Sequence, residues 1–350
     1  MKIAVGFDRS GPDDWEDAAA YVQEAERMGV HSAWSAEAWG FDAVTPLAYL
    51  AAKTSRIKLG SGIMQISART PAMAAMTAMT LNSMSHGRFL MGLGASGPQV
   101  VEGWHGQPFE QTVQRLREVT EIVRMLVAGG RSSYEGKLYP LPLPGGEGKP
   151  IRSSTKPQDP IPVYFATLSP KSLELTGEIG DGWVGTSFMP EHANVFFDSI
   201  AAGAARAGRT LKDLDKQVAA GVIAFSDDVE QLIPPRKPGV AFTLGAMGSK
   251  RHNFYNAAYR RAGYADVALE VQRLWLEGKR NEATAAVPDE LVLHTNLIGT
   301  EQMVKDRIRV HRKAGVDSLR VSPEGATLKE RLDNLGRLME LVKQVDAEPA

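Results

Sequence analysis

Two carboxylates follow short apolar stretches near the start of the chain, and each could face a ligand. Asp8 comes directly after the apolar run 3–7, and Glu37 comes shortly after the run 32–35. Small residues and Trp39 flank Glu37, a setting that would partly desolvate an acid and suit it to proton transfer. Glu37 is therefore our first candidate for a proton donor or an orienting group, whereas a solvated loop acid explains Asp8 equally well.

Histidine is the other residue type in this chain that could move a proton. His105 follows a predicted strand on the side where a ligand would bind, and it is our second candidate proton donor. None of the seven histidines has a neighbour at metal-ligand spacing, so we expect no protein-bound metal. The chain contains no cysteine, which excludes disulfides and thiolate catalysis.

Glycine-rich turns end two apolar strand patterns in the central part of the chain. The first pattern covers 57–64 and contains Gly60 and Gly62; the second, 89–93, runs into a turn with further glycines. Thr70 followed by a proline starts a helix between them. Since strands joined by a helix run parallel, both turns lie at the same edge, where α/β folds bind ligands.

The same order of strand, loop and helix repeats along the chain and predicts a parallel sheet with right-handed crossovers. We count eight such units in the 350 residues, with a mostly helical interruption at about 227–296, between the seventh and eighth strands. Eight units with one insertion favour a (β/α)8 (TIM) barrel over an open doubly wound sheet. We expect one domain over residues 1–350.

Composition and charge limit the partners. The chain carries 40 Lys plus Arg against 41 Asp plus Glu, without a basic patch, which argues against nucleic-acid or membrane-surface binding. No apolar run approaches the roughly 20 residues of a membrane span, and the amino terminus has no charged leader with a cleavage site. We therefore expect a cytoplasmic protein that acts on a small molecule.

Three segments together resemble the bacterial luciferase-like family. They read LGSGIMQISARTP, LNSMSHGRFLMGLGASGP and IPVYFATLSPKSLELTGEIGDGWVGTS. Within that family they resemble the branch that uses coenzyme F420, an 8-hydroxy-5-deazaflavin, as a hydride carrier. The resemblance implies an F420-dependent oxidoreductase that moves a hydride between C5 of the deazaflavin and an unsaturated organic substrate (C=C, C=N or C=O).

The resemblance also implies where the coenzyme lies. In the family, a non-proline cis peptide after the third strand forms a bulge behind the middle deazaflavin ring, and the matching bond here is Gly62–Ile63. Backbone N–H groups and hydroxyls after the fifth and sixth strands hold the coenzyme phosphate. The implied coenzyme-binding residues are Ser35, Gly62, Ile63, Met64, Gln65, Ala95, Ser96, Ala166, Thr167, Leu168, Ser169, Gly185, Thr186 and Ser187.

Departures from the family pattern limit the substrate. Many relatives carry Asp-His after the second strand, where this chain has Glu37-Ala38. Methylene-tetrahydromethanopterin reductases carry an acid in place of Gly6, and the sugar-phosphate dehydrogenases carry a lysine in place of Phe188 and Met189. We therefore expect neither of those substrates, but an uncharged or aromatic one. The predicted substrate pocket comprises Phe7, Asp8, Trp39, Trp104, Phe188 and Met189.

Two other functions and the oligomeric state stay open at this point. An FMN-dependent monooxygenase would use the same platform, and a deazaflavin-binding protein without turnover would also lack the Asp-His pair. The predicted helix 71–85 carries an apolar face beyond what one side of a barrel helix needs, which favours a homodimer. That face consists of Ala72, Met73, Met76, Met79 and Thr80.

Overall fold

Strands and helices alternate through the part of the chain that the computed structural model describes, residues 1–7, 15–249 and 253–349. The strands are β1 Lys2–Gly6, β2 Ser32–Ser35, β3 Lys58–Ser61, β4 Met64–Gln65, β5 Phe89–Gly94, β6 Val163–Ala166, β7 Gly182–Gly185, β8 Asp215–Phe225, β9 Leu297–Gly299 and β10 Ser318–Pro323. The helices are α1 Trp15–Arg27, α2 Val44–Lys53, α3 Pro71–Met84, α4 Pro98–Val101, α5 Thr112–Val127, α6 Pro170–Ile179, α7 Asn194–Arg206, α8 Val229–Leu232, α9 Lys237–Gly245, α10 Phe254–Arg261, α11 Ala265–Leu276, α12 Arg280–Ala285, α13 Asp289–Thr295, α14 Glu301–Lys313 and α15 Leu328–Asp346. None of these helices is long and apolar enough to cross a membrane.

Eight of the strands close a parallel barrel in the order β1, β2, β3, β5, β6, β7, β8 and β10. The last strand closes the ring because it pairs with both β1 and β8, with Ser318 opposite Lys2 on one side and Gln217 on the other. This confirms the predicted (β/α)8 barrel. The strand predicted over 57–64 is broken into β3 and the short β4, which pairs with β5. The short strand β9, which pairs with the end of β8, was not predicted.

In the barrel interior, large aromatic side chains pack against glycines of neighbouring strands. Trp34 of β2 and Tyr164 of β6 meet edge to face, with ring centroids 5.4 Å apart. Gly60 of β3 lies against the Trp34 ring, where an added Cβ would come within 2.4 Å of ring carbons. The glycine thus makes room for the tryptophan, which fills the barrel below its carboxyl edge.

The helical interruption lies between the last two barrel strands, as predicted, and contains α8–α13. It buries its own apolar cluster, which includes Leu244, Val271 and Leu291 and also takes in Met189. The buried Asn253 joins two of its helices, because its side-chain oxygen caps α10 and its side-chain amide donates to the Leu244 carbonyl. We call this unit, residues 227–296, the roof, because part of it covers the cavity described below.

Candidate active site

A cavity of about 350 Å³ opens at the carboxyl ends of the barrel strands. Its lining comes from strand ends and loops on the barrel side and from α5, α6 and the roof on the other. The lining residues used below are Glu37, Trp39, Gly62, Ile63, Gly94, Ala95, Ser96, Ala166, Thr167, Leu168, Ser169, Ser172, Thr186, Met247, Phe254, Tyr255 and Arg320. Among the described residues, no group of His, Asp and Glu side chains could hold a metal ion.

The bulge between β3 and β4 forms part of the cavity wall. The Gly62–Ile63 peptide bond is cis, which confirms that prediction. Gly92 and Gly94 of the neighbouring strand make the bulge possible: a Cβ on Gly92 would lie 1.8 Å from the Ser61 carbonyl oxygen, and one on Gly94 would lie 3.0 Å from the Ile63 side chain. The Ser61 hydroxyl also bonds both the N–H and the carbonyl of Gly92, each at 2.9 Å. The two glycines therefore let β5 approach the bulge closely.

Glu37 lies at the cavity wall in a bidentate ion pair with Arg69. Two guanidinium nitrogens donate to its two carboxylate oxygens at 2.7 Å each, and the side chains are only 8% and 16% exposed. The backbone N–H groups of Gln65 and Ala43 donate to the same carboxylate at 3.0 and 3.2 Å. Glu37 thus joins three segments: its own loop, β4 and the start of α2.

This geometry favours the ionised form of Glu37. Burial alone would raise the pKa of its carboxyl group, but the hydrogen bonds from Arg69 and the Gln65 amide outweigh burial and hold the pKa below its usual value. The carboxylate thus accepts four hydrogen bonds, which favours its anionic form and speaks against the predicted role as a proton donor. The alternative role, as an orienting group, agrees with the contacts.

Hydroxyl groups and a helix amino terminus form another part of the lining. Ser169 precedes α6, and its hydroxyl lies 2.8 Å from that of Ser172 in the first turn. Thr167 is different, because its buried hydroxyl already bonds that of Thr176 at 2.7 Å. From the roof, Arg261 donates to the Leu168 carbonyl at 2.6 Å and so joins α10 to this loop. Such a terminus, with its free N–H groups, favours an anion.

Comparison with known proteins assigns the family. A family model described as luciferase-like monooxygenase matches residues 3–318. The chain belongs to this family.

Relatives of this luciferase-like chain cover nearly its whole length. A Mycobacterium tuberculosis protein, named provisionally as a coenzyme F420-dependent oxidoreductase, is 37% identical over 93% of this chain and 96% of its own. The 5,10-methylenetetrahydromethanopterin reductase of Archaeoglobus fulgidus is 29% identical, with coverage of 96% and 98%. The solved coenzyme F420-dependent tetrahydromethanopterin reductase of Methanopyrus kandleri superposes with a TM-score of 0.79 at 25% identity, over 96% of this chain and 97% of its own.

The luciferase-like chain brings most of its predicted coenzyme residues to one cavity. The predicted residues in the lining are Gly62, Ile63, Ala95, Ser96, Ala166, Thr167, Leu168, Ser169 and Thr186. Ser35, Met64, Gln65, Gly185 and Ser187 lie outside the lining. Gln65 still bears on the cavity, because its buried amide donates to the Ala38 carbonyl at 2.9 Å and holds the loop after β2.

The predicted substrate pocket needs correction. Phe188 and Met189 are each only 1% exposed; the first packs against Trp183 in the main core and the second belongs to the roof cluster. Phe7 is also a core residue, at 4% exposed. These residues turn inwards because apolar side chains after a strand can be buried behind the barrel edge instead of lining it.

The remaining predicted residues have separate positions. Trp39 lines the cavity, while Trp104 is 66% exposed and stands outside the lining. His105 also lies outside it, with its Nε2 buried and without a hydrogen-bond partner in the described part of the chain. The structure therefore does not support His105 as a proton donor to the cavity. Asp8 lies outside the described residues.

Sequence reasoning missed several lining residues. Arg320 stands between Leu319 and Val321 in β10, and a cation between two apolar residues of a strand was a signal that could have been read. Arg69 lay within a motif that was noted only for the family resemblance. Met247, Phe254 and Tyr255 come from the roof, whose position over the barrel no local pattern encodes.

Proposed function

We propose that this chain is a coenzyme F420-dependent oxidoreductase that transfers a hydride between C5 of the deazaflavin and an unsaturated organic substrate. The observation that carries the proposal is the cavity, in which the Gly62–Ile63 bulge and the amino terminus of α6 line one continuous space. The names of the relative from Mycobacterium tuberculosis and of the solved reductase from Methanopyrus kandleri both include coenzyme F420, which supports the same coenzyme here.

The residues present fit such a coenzyme. Small residues, Gly94, Ala95 and Ala166, leave space beside Ile63 for a flat ring system. Ser169 and its neighbouring hydroxyls would hold the phosphate at the α6 terminus. The reduced deazaflavin, when bound, supplies a hydride to an acceptor.

The chain's own residues position and enclose this site. The Glu37–Arg69 pair holds the backbone of Gln65, two residues after the cis bond, and thereby fixes the bulge. The roof residues Phe254 and Tyr255 cover the cavity and would exclude water, which strengthens electrostatic interactions inside it.

Direct titration tests the coenzyme. We expect quenching of intrinsic tryptophan fluorescence by F420 to saturate at micromolar concentrations, because the cavity is lined on one side by Trp39 and lies over Trp34. FMN in the same titration should bind at least roughly tenfold more weakly, a difference of about 1.4 kcal/mol. Tighter binding of FMN, with oxygen consumption on its reduction, would favour the monooxygenase instead.

Turnover is tested separately from binding. Reduced F420 should be reoxidised by unsaturated organic acceptors faster with the protein than without it. If F420 binds and no member of a panel of enones, aldehydes and imines is reduced above the protein-free rate, the chain is a deazaflavin-binding protein and the catalytic proposal fails.

The phosphate site gives a residue-level prediction. Ser169→Ala or Thr186→Ala should weaken F420 binding by roughly tenfold or somewhat more, since a hydrogen bond to a charged oxygen contributes about 1.5–3 kcal/mol. Turnover at saturating coenzyme should be unchanged, because the phosphate is held equally in ground and transition states. Ser133→Ala, on an exposed loop away from the cavity, is the matched control and should change neither quantity. Equal affinities in all variants would place the phosphate elsewhere.

We also propose that α3 forms a homodimer interface. Met73, Met76 and Met84 are 50%, 56% and 47% exposed on this helix, beside exposed Ala72 and Thr80. Met79, which we expected on the same face, is buried at 5% exposed. Light scattering at micromolar concentration should give twice the chain mass, and Met76→Glu should shift the protein to the monomer.

A further inference from the structure

Two phenylalanine rings from different parts of the chain meet at the cavity. Phe109 lies in the segment that leads into α5, and Phe254 is the first residue of α10 in the roof. Both residues line the cavity. Their ring centroids are 6.3 Å apart, and the ring planes are tilted by 45°. The roof and the segment before α5 are therefore joined by an aromatic contact, and its two rings form part of the cavity surface.

The backbone is anchored on both sides of this contact. Asn253, directly before Phe254, caps α10 through its side-chain oxygen, and its side-chain amide donates to the Leu244 carbonyl at 2.9 Å. On the other side, the N–H of Phe109 donates to the Glu102 carboxylate at 3.4 Å. Fixed positions of this kind are what a surface needs in order to select between ligands of similar size.

The cavity offers little free charge to a ligand. Among the described lining residues, only Glu37 and Arg320 are charged. Arg69 neutralises Glu37 through both carboxylate oxygens, and Arg320 is also engaged in an interaction. A charged substrate would therefore lose hydration here without gaining an unpaired counter-charge. This favours an uncharged substrate.

Aromatic residues are concentrated in the same lining. Trp39 and Tyr255 contribute to it together with Phe109 and Phe254, and Met247 adds a polarisable side chain. Aromatic rings attract other planar π systems in offset or edge-to-face arrangements, and this attraction adds to the effect of burying apolar area. A planar aromatic substrate therefore gains more from this surface than a saturated one of the same size.

Hydride transfer requires the substrate to lie on the side of the cavity away from the bulge. In the proposed function, the Gly62–Ile63 bulge backs one face of the deazaflavin ring. The acceptor must then approach the other face, to about 3–3.5 Å. That face is turned towards the part of the lining that comes from the roof and from the segment before α5.

We propose that Phe109 and Phe254 form the wall of a substrate slot that selects uncharged planar aromatic acceptors over saturated or charged ones of the same size. This inference rests on the proposed function and narrows its substrate class, with the two rings as specificity-determining residues. The acceptor gains a hydride from the reduced deazaflavin at one atom of its double bond and a proton from solvent at the other. It is thus reduced by two electrons, and the coenzyme is oxidised by two.

The first test measures binding without turnover. The protein is loaded with oxidised F420, which has no hydride to give, and the Kd of three methyl ketones is measured by ligand-detected NMR. They are 2-acetylnaphthalene, its saturated counterpart 2-acetyldecalin, and the charged 6-acetyl-2-naphthoate. The first should bind at least about tenfold more tightly than either of the others. Simple apolar partitioning would instead favour the decalin, because it exposes more apolar hydrogen-bearing surface.

The outcomes of this test separate the two proposals. Equal or tighter binding of 2-acetyldecalin or of the naphthoate, with F420 bound, would overturn the selection of uncharged planar substrates and leave the proposed function intact. Failure of F420 to bind would overturn the proposed function, and this inference with it.

The second test assigns the selection to the two rings. Phe109→Ala and Phe254→Ala should each raise the Kd of 2-acetylnaphthalene by roughly tenfold, and the Kd of 2-acetyldecalin and of F420 by less than about threefold. Phe254→Leu keeps most of the apolar volume without the flat ring. It should therefore bind 2-acetyldecalin as before and lose most of the preference for the aromatic ketone, even if the alanine variants fold poorly.

A second roof phenylalanine provides the matched control. The ring of Phe242 in α9 meets that of Trp275 at 5.8 Å, and both residues lie outside the cavity lining. Phe242→Ala should leave the Kd of all three ketones and of F420 unchanged. Unchanged binding of 2-acetylnaphthalene in Phe109→Ala and Phe254→Leu would overturn the inference. An equal loss of F420 and ketone binding in the variants of Phe109 and Phe254 would also overturn it, because the rings would then belong to the coenzyme site.

Discussion

The cavity has two walls that are built on opposite principles. On the barrel side, small residues predominate at the strand ends, among them Gly62, Gly94 and Ala95, and the shape of the wall comes from the backbone. On the roof side, large side chains such as Met247 and Tyr255 form the surface. The barrel wall is thus shaped by backbone and small residues, and the roof wall by large side chains. A planar coenzyme suits the first, and discrimination among substrates suits the second.

The largest effect is expected when a side chain is added to a glycine of the barrel strands. Gly92→Ala would place a Cβ 1.8 Å from the Ser61 carbonyl oxygen, so we expect it to lower the free energy of unfolding by about 3 kcal/mol. Thermal unfolding measures the change. Gly336→Ala in the middle of α15 has open space around the added methyl group and should instead stabilise by about 0.5–1 kcal/mol. Similar small shifts for both variants would mean that the barrel wall tolerates side chains after all.

The next test concerns the ion pair that supports the barrel wall. Arg69→Met leaves the Glu37 carboxylate poorly exposed and without its counter-charge, which should cost about 3 kcal/mol near neutral pH. Glu37→Gln should also destabilise, and turnover should fall in both variants because the bulge is less firmly held. If Glu37→Gln changed neither stability nor turnover, the orienting role of the pair would be refuted.

The contribution of Glu37 to stability should depend on pH with opposite signs in the unmodified protein and in Arg69→Met. In the unmodified protein the pKa of Glu37 lies below its usual value, so its contribution to stability is present above that value and is lost as pH falls through the folded pKa. Without Arg69, burial should raise the pKa of Glu37 above the unfolded value, and stability should then fall as pH rises between the two. Thermal unfolding between about pH 4 and 7 should show a deficit for Arg69→Met that grows with pH. The double variant Arg69→Met/Glu37→Gln should show no such growth.

A smaller effect, on KM for the substrate, is expected from a substitution in the roof. Met247→Ala removes apolar surface from the substrate side of the cavity, and we expect KM to rise roughly fivefold, equivalent to about 1 kcal/mol of lost contact. The Kd of F420 should stay unchanged. If KM and the Kd of F420 rose together, the roof would contact the coenzyme as well as the substrate.

The smallest effect should come from the hydrogen bond that joins the walls. Arg261→Ala removes the bond from the exposed Arg261 side chain to the Leu168 carbonyl. We expect F420 affinity to fall by about threefold or less, since exposed charged contacts contribute roughly 0.2–1 kcal/mol, and the difference should shrink in high salt. A loss above tenfold would make the roof a direct part of the coenzyme site.

The sequence predicted the barrel wall much better than the roof, for a physical reason. Glycine-rich strand ends are local signals, because close backbone approach restricts the residue types allowed at each position, and the cis bond at Gly62–Ile63 was implied by the family resemblance. The role of Glu37 is not local: it depends on Arg69, 32 residues away in the chain, whose contact only the folded barrel creates. The short strand β9 was missed because its three residues carry no periodicity to read.

Apolar sequence patterns alone also could not distinguish residues that line the cavity from residues that pack in the core. Phe188 and Met189 follow a strand and were assigned to the pocket, yet both are core residues. In the roof, Tyr255 faces the cavity while Tyr259, one helical turn later, is buried in the roof cluster. Which of the two points at the cavity depends on how α10 docks, and that orientation is a tertiary property.

The separate hydrophobic cluster of the roof has a consequence for how this scaffold can be re-engineered. Most of this cluster comes from the roof itself, while Met189, Ala224 of β8 and Ile298 of β9 complete it from outside. A segment exchanged between relatives would therefore have to match these three contact residues. In such an exchange the barrel would keep Arg320, while Met247, Phe254 and Tyr255 would be replaced together with the roof. Chimaeras that combine the barrel of one relative with the roof of another would test whether the barrel sets the choice of coenzyme and the roof the range of substrates.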